Sequence, residues 1–181
     1  EEIGPSVPLI ATVQDMEFID FDNGQLLWTT LNADGSSSFT LAHTTDHGAT
    51  WTSDTLPLFE AGEVAAHSEE AGMGWLDAQT GWIVVKQSGS SNFSLGTLFT
   101  TSDGGATWTR SVLPVADEVL FSTPQIGWAV GGPAGDQIFQ TQDGGLTWRD
   151  VEPGNSTNSN VTTYKPLFSN GQGLLVTTSL S

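Results

Sequence analysis

Between Phe59 and Gly72 the sequence reads FEAGEVAAHSEEAG, and five of its side chains are of types that bind metals or exchange protons: Glu60, Glu63, His67, Glu69 and Glu70. On a helix, Glu60, Glu63 and His67 would share one face. That spacing suits a single cation, but spacing does not supply coordination geometry. Three readings stay open for the stretch: a solvated acidic loop, a contact for a carbohydrate or protein ligand, or a metal site. The acidic loop leads, so no metal and no cofactor is expected.

A second set of carboxylates recurs. TTDHGATW (Thr44–Trp51), TSDGGATW (Thr101–Trp108) and TQDGGLTW (Thr141–Trp148) share the form [ST]-x-D-x-G-x-T-W. A catalytic site written three times in one chain would be odd, whereas architecture repeats. Asp46, Asp103 and Asp143 can accept hydrogen bonds from their own turn amides. Gly48, Gly105 and Gly145 can take the positive φ of a tight turn. Trp51, Trp108 and Trp148 each bring a large ring to bury. The octapeptides therefore read as structural, and no catalytic residue is assigned. His43 and His47 flank the first of them, with His47 at the variable turn position, where exposure is expected.

Composition narrows the partners. The net charge is −17, from 21 acidic residues against four basic ones, Lys86, Arg110, Arg149 and Lys165. Such a surface repels phosphate backbones and anionic membranes, which argues against nucleic acid as a partner. No apolar run reaches the roughly 18 residues of a membrane span. There is no cysteine, hence no disulfide, thiol nucleophile or thiolate metal site. A Ser/Thr/Asn/Gly-rich, Lys-poor surface points to an exported, extracellular or cell-surface protein.

A repeat must position these residues. FIDFDNGQLLW (Phe18–Trp28), WLDAQTGW (Trp75–Trp82) and FSTPQIGW (Phe121–Trp128) each place an aromatic six residues before a glycine that opens an apolar strand. From that glycine to the octapeptide Asp is 22 residues for Gly24–Asp46 and for Gly81–Asp103, and 16 for Gly127–Asp143. Short β-branched and aromatic runs between Gly, Asn, Asp and Ser turns predict four strands per unit, A to D. In the second unit, A lies near Gly74–Asp77, B near Gly81–Gln87, C at about Gly96–Thr101 and D at about Thr107–Leu113. Units of this kind suit an all-β fold, a β-propeller or propeller segment of four-stranded antiparallel blades. The expected blades span about 16–58, 73–115 and 118–152. A partial strand D at 6–15 and a further start at 164–181 flank them. The chain is thus either an excerpt of a larger propeller or a ring whose terminal pieces combine into an incomplete fourth blade. Exposed edges near Val7–Val13 and Gly173–Thr178 are expected to pair, within one molecule or between copies.

The octapeptide resembles the Asp-box, or BNR repeat, of sialidases, other glycoside hydrolases and sortilin-type receptors. The TGWIV and IGWAVG strands resemble a narrower group, the photosystem II assembly/stability-factor-like propellers. The resemblance covers roughly Met16 to Asp150 and implies fold more than activity. A sialidase-like site implies three arginines gripping a carboxylate, with a Tyr–Glu pair. Arg110 and Arg149 each follow an octapeptide Trp, Tyr164 is the sole tyrosine, and nothing matches the triad. The photosystem-factor resemblance departs too, since there is no Arg-rich patch for such a scaffold to present. Trp28, Trp82 and Trp128 read as core strand residues before sugar platforms. The N-x-[ST] sequons at Asn92, Asn155 and Asn160 mark polar loops. In a propeller the C–D turns face away from the D–A and B–C loops that usually meet ligands. The reading is a non-catalytic recognition or assembly scaffold for a protein or carbohydrate; the alternative is part of a glycoside hydrolase whose remaining catalytic residues lie outside this chain.

Overall fold

The structure, a computed structural model, describes residues 4–59, 70–87, 95–132 and 137–151, with short strands at 161–163, 167–169, 172–174 and 177–179. The first sheet holds β1 (Ala11–Phe18), β2 (Gly24–Leu31), β3 (Ser37–Thr44) and β4 (Thr52–Leu56). The second holds β5 (Ala71–Trp75), β6 (Gly81–Gln87), β7 (Leu95–Thr101) and β8 (Thr109–Leu113). The third holds β9 (Glu118–Phe121), β10 (Gly127–Gly131), β11 (Gln137–Thr141) and β12 (Arg149–Asp150). Each sheet is an antiparallel meander in chain order, the form of a propeller blade. No helix occurs among the described residues, and none is long and apolar enough to cross a membrane.

Consecutive blades pack face to face. Leu27, Phe39, Leu41 and Leu56 of the first blade bury against Trp75, Ile83, Val85 and Phe99 of the second. On the far side of the second blade, Trp82, Val84, Leu98 and Leu113 meet Phe121 and Ala129 of the third. The alternation of side chains along a strand supplies both faces of the middle blade, which explains the apolar run Trp82–Val85 in its second strand. Leu26, Trp28 and Ala42 form the outward face of the first blade, with Val7, Ala11 and Trp51 against them.

The first blade begins earlier than the sequence boundary at Met16. Residues 11–15, assigned above to a preceding strand D, hydrogen-bond to β2 as the first strand of this blade, with a register shift between Val13 and Asp15. The irregularity brings Gln14 and Asp15 both onto β5: Ala71 N donates to Gln14 Oε1 at 2.9 Å and Met73 N to Asp15 Oδ2 at 2.9 Å. It also breaks the alternation that would have revealed the strand. β5 likewise ends at Trp75, short of Asp77. Asp77 Oδ1 instead accepts the amides of Gln79 and Thr80 and so turns the chain.

At the other end, β13 (Val161–Thr163) pairs with β16 (Thr177–Ser179) around the inner pair β14 (Leu167–Ser169) and β15 (Gln172–Leu174). This antiparallel hairpin lies in the stretch read above as a further A–B start. Within one chain the anticipated pairing of Val7–Val13 with Gly173–Thr178 does not form. Ala11–Val13 pair with Thr30–Trp28, and Gly173 pairs with Phe168. Local hairpin pairing closes a much shorter loop than joining the two ends of the chain.

One cross-strand pair recurs in all three blades: Phe18 with Gly24, Trp75 with Gly81, and Phe121 with Gly127. The ring lies over the glycine. A Cβ at Gly81 would come within 2.4 Å of Trp75, and one at Gly127 within 2.7 Å of Phe121. We therefore expect Gly81→Ala to destabilise the protein by about 1–3 kcal/mol, the usual cost of overpacking a filled site. A Cβ at Gly72, in the same sheet, would meet only Asp15 Oδ2 at 3.8 Å. Gly72→Ala should stay within about 0.5 kcal/mol of the parent. Urea denaturation followed by tryptophan fluorescence measures both, and equal midpoints for the two variants would contradict the packing argument.

Candidate functional sites at the two ends of the blades

The three octapeptides connect β3 to β4, β7 to β8 and β11 to β12, and their hydrogen bonds repeat atom for atom. Thr101 Oγ1 donates to Asp103 Oδ1 at 2.8 Å, Thr107 N donates to the same oxygen at 2.9 Å, and Thr107 Oγ1 donates to Oδ2 at 2.6 Å. Gly105 N donates to Thr101 Oγ1 at 2.9 Å, and Trp108 Nε1 to Gly105 O at 2.9 Å. Asp46 accepts from Thr50 and Thr44, and Asp143 from Thr147 and Thr141, in the same pattern. Both carboxylate oxygens of each aspartate are thus engaged within the turn.

The glycines of the motif have separate tasks. Gly48, Gly105 and Gly145 have φ of 83°, 93° and 89°, the left-handed region that other residues resist. A Cβ at Gly145 would also lie 2.4 Å from Leu98 of the preceding blade. The residue before it is Gly104 or Gly144 in two blades, again at positive φ, and its amide donates to the A–B turn, at Gln79 O or Gln125 O. In the first blade this position is His47, at φ 61°. Its amide donates to Asp22 O, its ring lies 4.5 Å from that of Phe21, and Nδ1 is 2.6 Å from Asp22 Oδ1. His47 is exposed and engaged in holding a strained turn. Trp51, Trp108 and Trp148 stand edge-on to Phe18, Trp75 and Phe121, each with ring centroids 6.3 Å apart.

The sequence-predicted acidic loop is reached only at its end. Glu60, Glu63, His67 and Glu69 lie outside the described residues. Glu70 is exposed, with Oε1 2.8 Å from Lys86 Nζ, a surface pair of small energetic weight. Among the described residues no group of three His, Cys, Asp or Glu could hold a metal ion. Of the sequons, Asn92, Asn155 and Asn160 also fall outside the described residues. Trp28 and Trp82 are buried in blade faces and Trp128 is half-buried.

Two places escaped the sequence reading. At the end where β1, β5 and β9 begin, opposite the octapeptides, Asp15, Glu70, Asp117 and Glu118 surround Lys86 in a shallow cleft of about 160 Å³. Only the tertiary packing of three first strands gathers these acids. At the octapeptide end, a cleft of about 600 Å³ separates the first two blades and is lined by Gln25, His43 and Asp54. Its signal was present in the sequence, since Gln25 follows Gly24 where Trp82 follows Gly81 and Trp128 follows Gly127.

Against known structures, the chain superposes over 87% of its length on a GH74 enzyme from Niastella koreensis, with TM-score 0.50 and 19% identity, and spans 24% of that enzyme's chain. This similarity shows the β-propeller fold. No protein-family model matches the chain, and no curated protein matches it.

Hydrogen bonds from Thr107, first its hydroxyl and then its amide, with Thr101 behind them, hold the Asp103 carboxyl at a pKa of about 2, down from 3.8. Asp46 and Asp143 are lowered to about 2 by the matching threonines. A folded-state pKa below the unfolded value contributes stability that is full above 3.8 and is lost as pH falls towards about 2. We expect the urea midpoint to drop across that window, and Asp103→Asn, which no longer titrates, to flatten the drop. Asp103→Ala should lower the melting temperature at neutral pH more than Asp103→Asn, which keeps one acceptor oxygen. A pH profile identical in parent and Asp103→Asn would contradict this assignment.

Proposed function

We propose that this chain is a segment of an exported Asp-box propeller that recognises a protein or carbohydrate ligand without catalysing its conversion. The observation that carries the reading is the commitment of the recurrent carboxylates. Asp46, Asp103 and Asp143 have both oxygens engaged inside their own turns, so the most regular chemical feature of the sequence is architecture. The three turns match the Asp-box form in sequence and in position, between the third and fourth strand of each blade. The binding surface under this reading is the opposite end, where β1, β5 and β9 begin and an acidic rim is formed by the exposed Asp117 and Glu118 beside the half-buried Asp15. Such a rim suits a neutral or basic ligand and repels nucleic acid. Association between copies through the terminal edges would be compatible with it.

One observation favours a second reading, part of a glycoside hydrolase. Asp15, Glu70, Asp117 and Glu118 share one cleft, and glycosidic hydrolysis needs only a pair of carboxyl groups flanking the bond. Of these, Asp15 holds the Met73 amide and Glu70 faces Lys86. The resemblance to a GH74 enzyme is one of fold, which by itself does not carry chemistry.

Affinity electrophoresis in soluble polysaccharides, run beside an assay for released reducing ends, separates the two readings. We expect retardation by at least one polysaccharide, or capture of a basic protein ligand, with no reducing ends above the blank. Release of reducing ends that disappears in both Asp117→Asn and Glu118→Gln would replace the scaffold reading with the hydrolase reading.

A further inference from the structure

The grooves between consecutive blades are built alike and filled differently. In the first blade the register sets Gln25, His43 and Thr52 in one cross-strand row, with Leu41 and Asp54 paired in the next row on the same face. In the second blade the matching row is Trp82, Thr100 and Thr109, and Ser111 takes the place of Asp54. Three positions have thus changed from Trp, Thr and Ser to Gln, His and Asp. Trp82 fills its groove, with its ring 5.2 Å from that of Phe121, and leaves about 300 Å³. Gln25 leaves about 600 Å³, within the range of small-molecule sites.

Among the described residues, Gln25 is the one buried polar residue that is not a threonine, and its oxygen and Trp75 Nε1 are the buried side-chain polar atoms without a partner. It is 5% exposed, it lines the cleft, and its Oε1 has no hydrogen-bond partner. Buried side-chain polar atoms in native proteins are almost always partnered, so a carboxamide oxygen left unpaired beside an open cleft marks a place where a ligand group belongs. His43, the Asp54 carboxylate and Thr45 line the same cleft, together with the apolar Leu41 and Leu56.

We propose that this cleft binds one ring of a neutral sugar. An amide, an imidazole and a carboxylate lining one cleft with two leucines supply the mixed donors and acceptors that vicinal hydroxyls need, while the leucines offer a surface for the C–H face of the ring. Phosphorylated and uronic-acid sugars are disfavoured by Asp54 and by the net charge of −17. The site lies at the octapeptide end, opposite the rim assigned above to ligand recognition, so either can fail without the other.

The test uses the whole chain, ¹⁵N-labelled and titrated with the methyl glycosides of glucose, galactose, mannose and xylose, with glucuronate and glucosamine as charged comparators. At least one methyl glycoside should shift the Gln25 side-chain amide and the His43 signals, with a dissociation constant on the order of 1 mM or tighter. Gln25→Trp restores the side chain of the second groove and should abolish the shifts with the fold intact. Asp54→Ser, on an exposed strand, should weaken binding by about tenfold or more and decides the matter if the tryptophan variant does not fold. Absence of shifts with every methyl glycoside, unchanged affinity in Asp54→Ser, or binding of glucosamine alone would overturn the proposal.

Discussion

The contact on which the blades depend is a ring laid across a glycine. Phe18, Trp75 and Phe121 each cover the glycine paired to them on the next strand, and each receives the edge of an octapeptide tryptophan at 6.3 Å. The absent Cβ lets the ring lie flat on the backbone. The flat ring then gives the tryptophan a surface to meet edge-on, a favoured aromatic geometry. The tryptophan in turn donates its indole N–H to the glycine carbonyl of its own turn. Aromatic, glycine, aspartate and tryptophan therefore keep their order in every unit because they form one object, assembled from the A–B pair and the C–D turn of the same blade.

Around that object the polar groups of the turns satisfy one another. The aspartate accepts from the following threonine, the preceding threonine accepts from the glycine amide, and the amide just before that glycine crosses to the A–B turn. Exposed turns of this sort cannot rely on burial for their shape. The geometry is held by charge-assisted bonds, which are stronger than neutral ones and which depress the carboxyl pKa. His47 shows the limit of the scheme: a non-glycine side chain takes positive φ there, and the Phe21 ring and the Asp22 carboxylate hold it in place.

The two ends of the blades differ because their constraints differ. The octapeptide end is tied down in every unit, so a departure from the pattern stands out, as Gln25 does in place of tryptophan. The opposite end has no repeated sequence, and its acids are brought together by the approach of β1 to β5 and β9. There Asp15 and Gln14 cap β5 amides, which protects the edge of an innermost strand from pairing elsewhere and leaves Asp117 and Glu118 towards solvent.

From the sequence alone, the all-β class, the four-strand unit and the C–D position of the octapeptides were legible, because side-chain alternation and turn chemistry are local and were written three times. The start of β1 was not, since the irregularity at Gln14 breaks the alternation and pairing with β2 overrides the likeness to a strand D. The acidic rim was also hidden, because Asp15, Glu70 and Asp117 are far apart in the chain and meet only when three blades stand side by side. The cleft at Gln25 lay between these cases. Its residue change was visible in the aligned repeats, but its meaning depended on packing. A glutamine in a strand is unremarked until the neighbouring blade buries it and leaves its carboxamide oxygen without a partner.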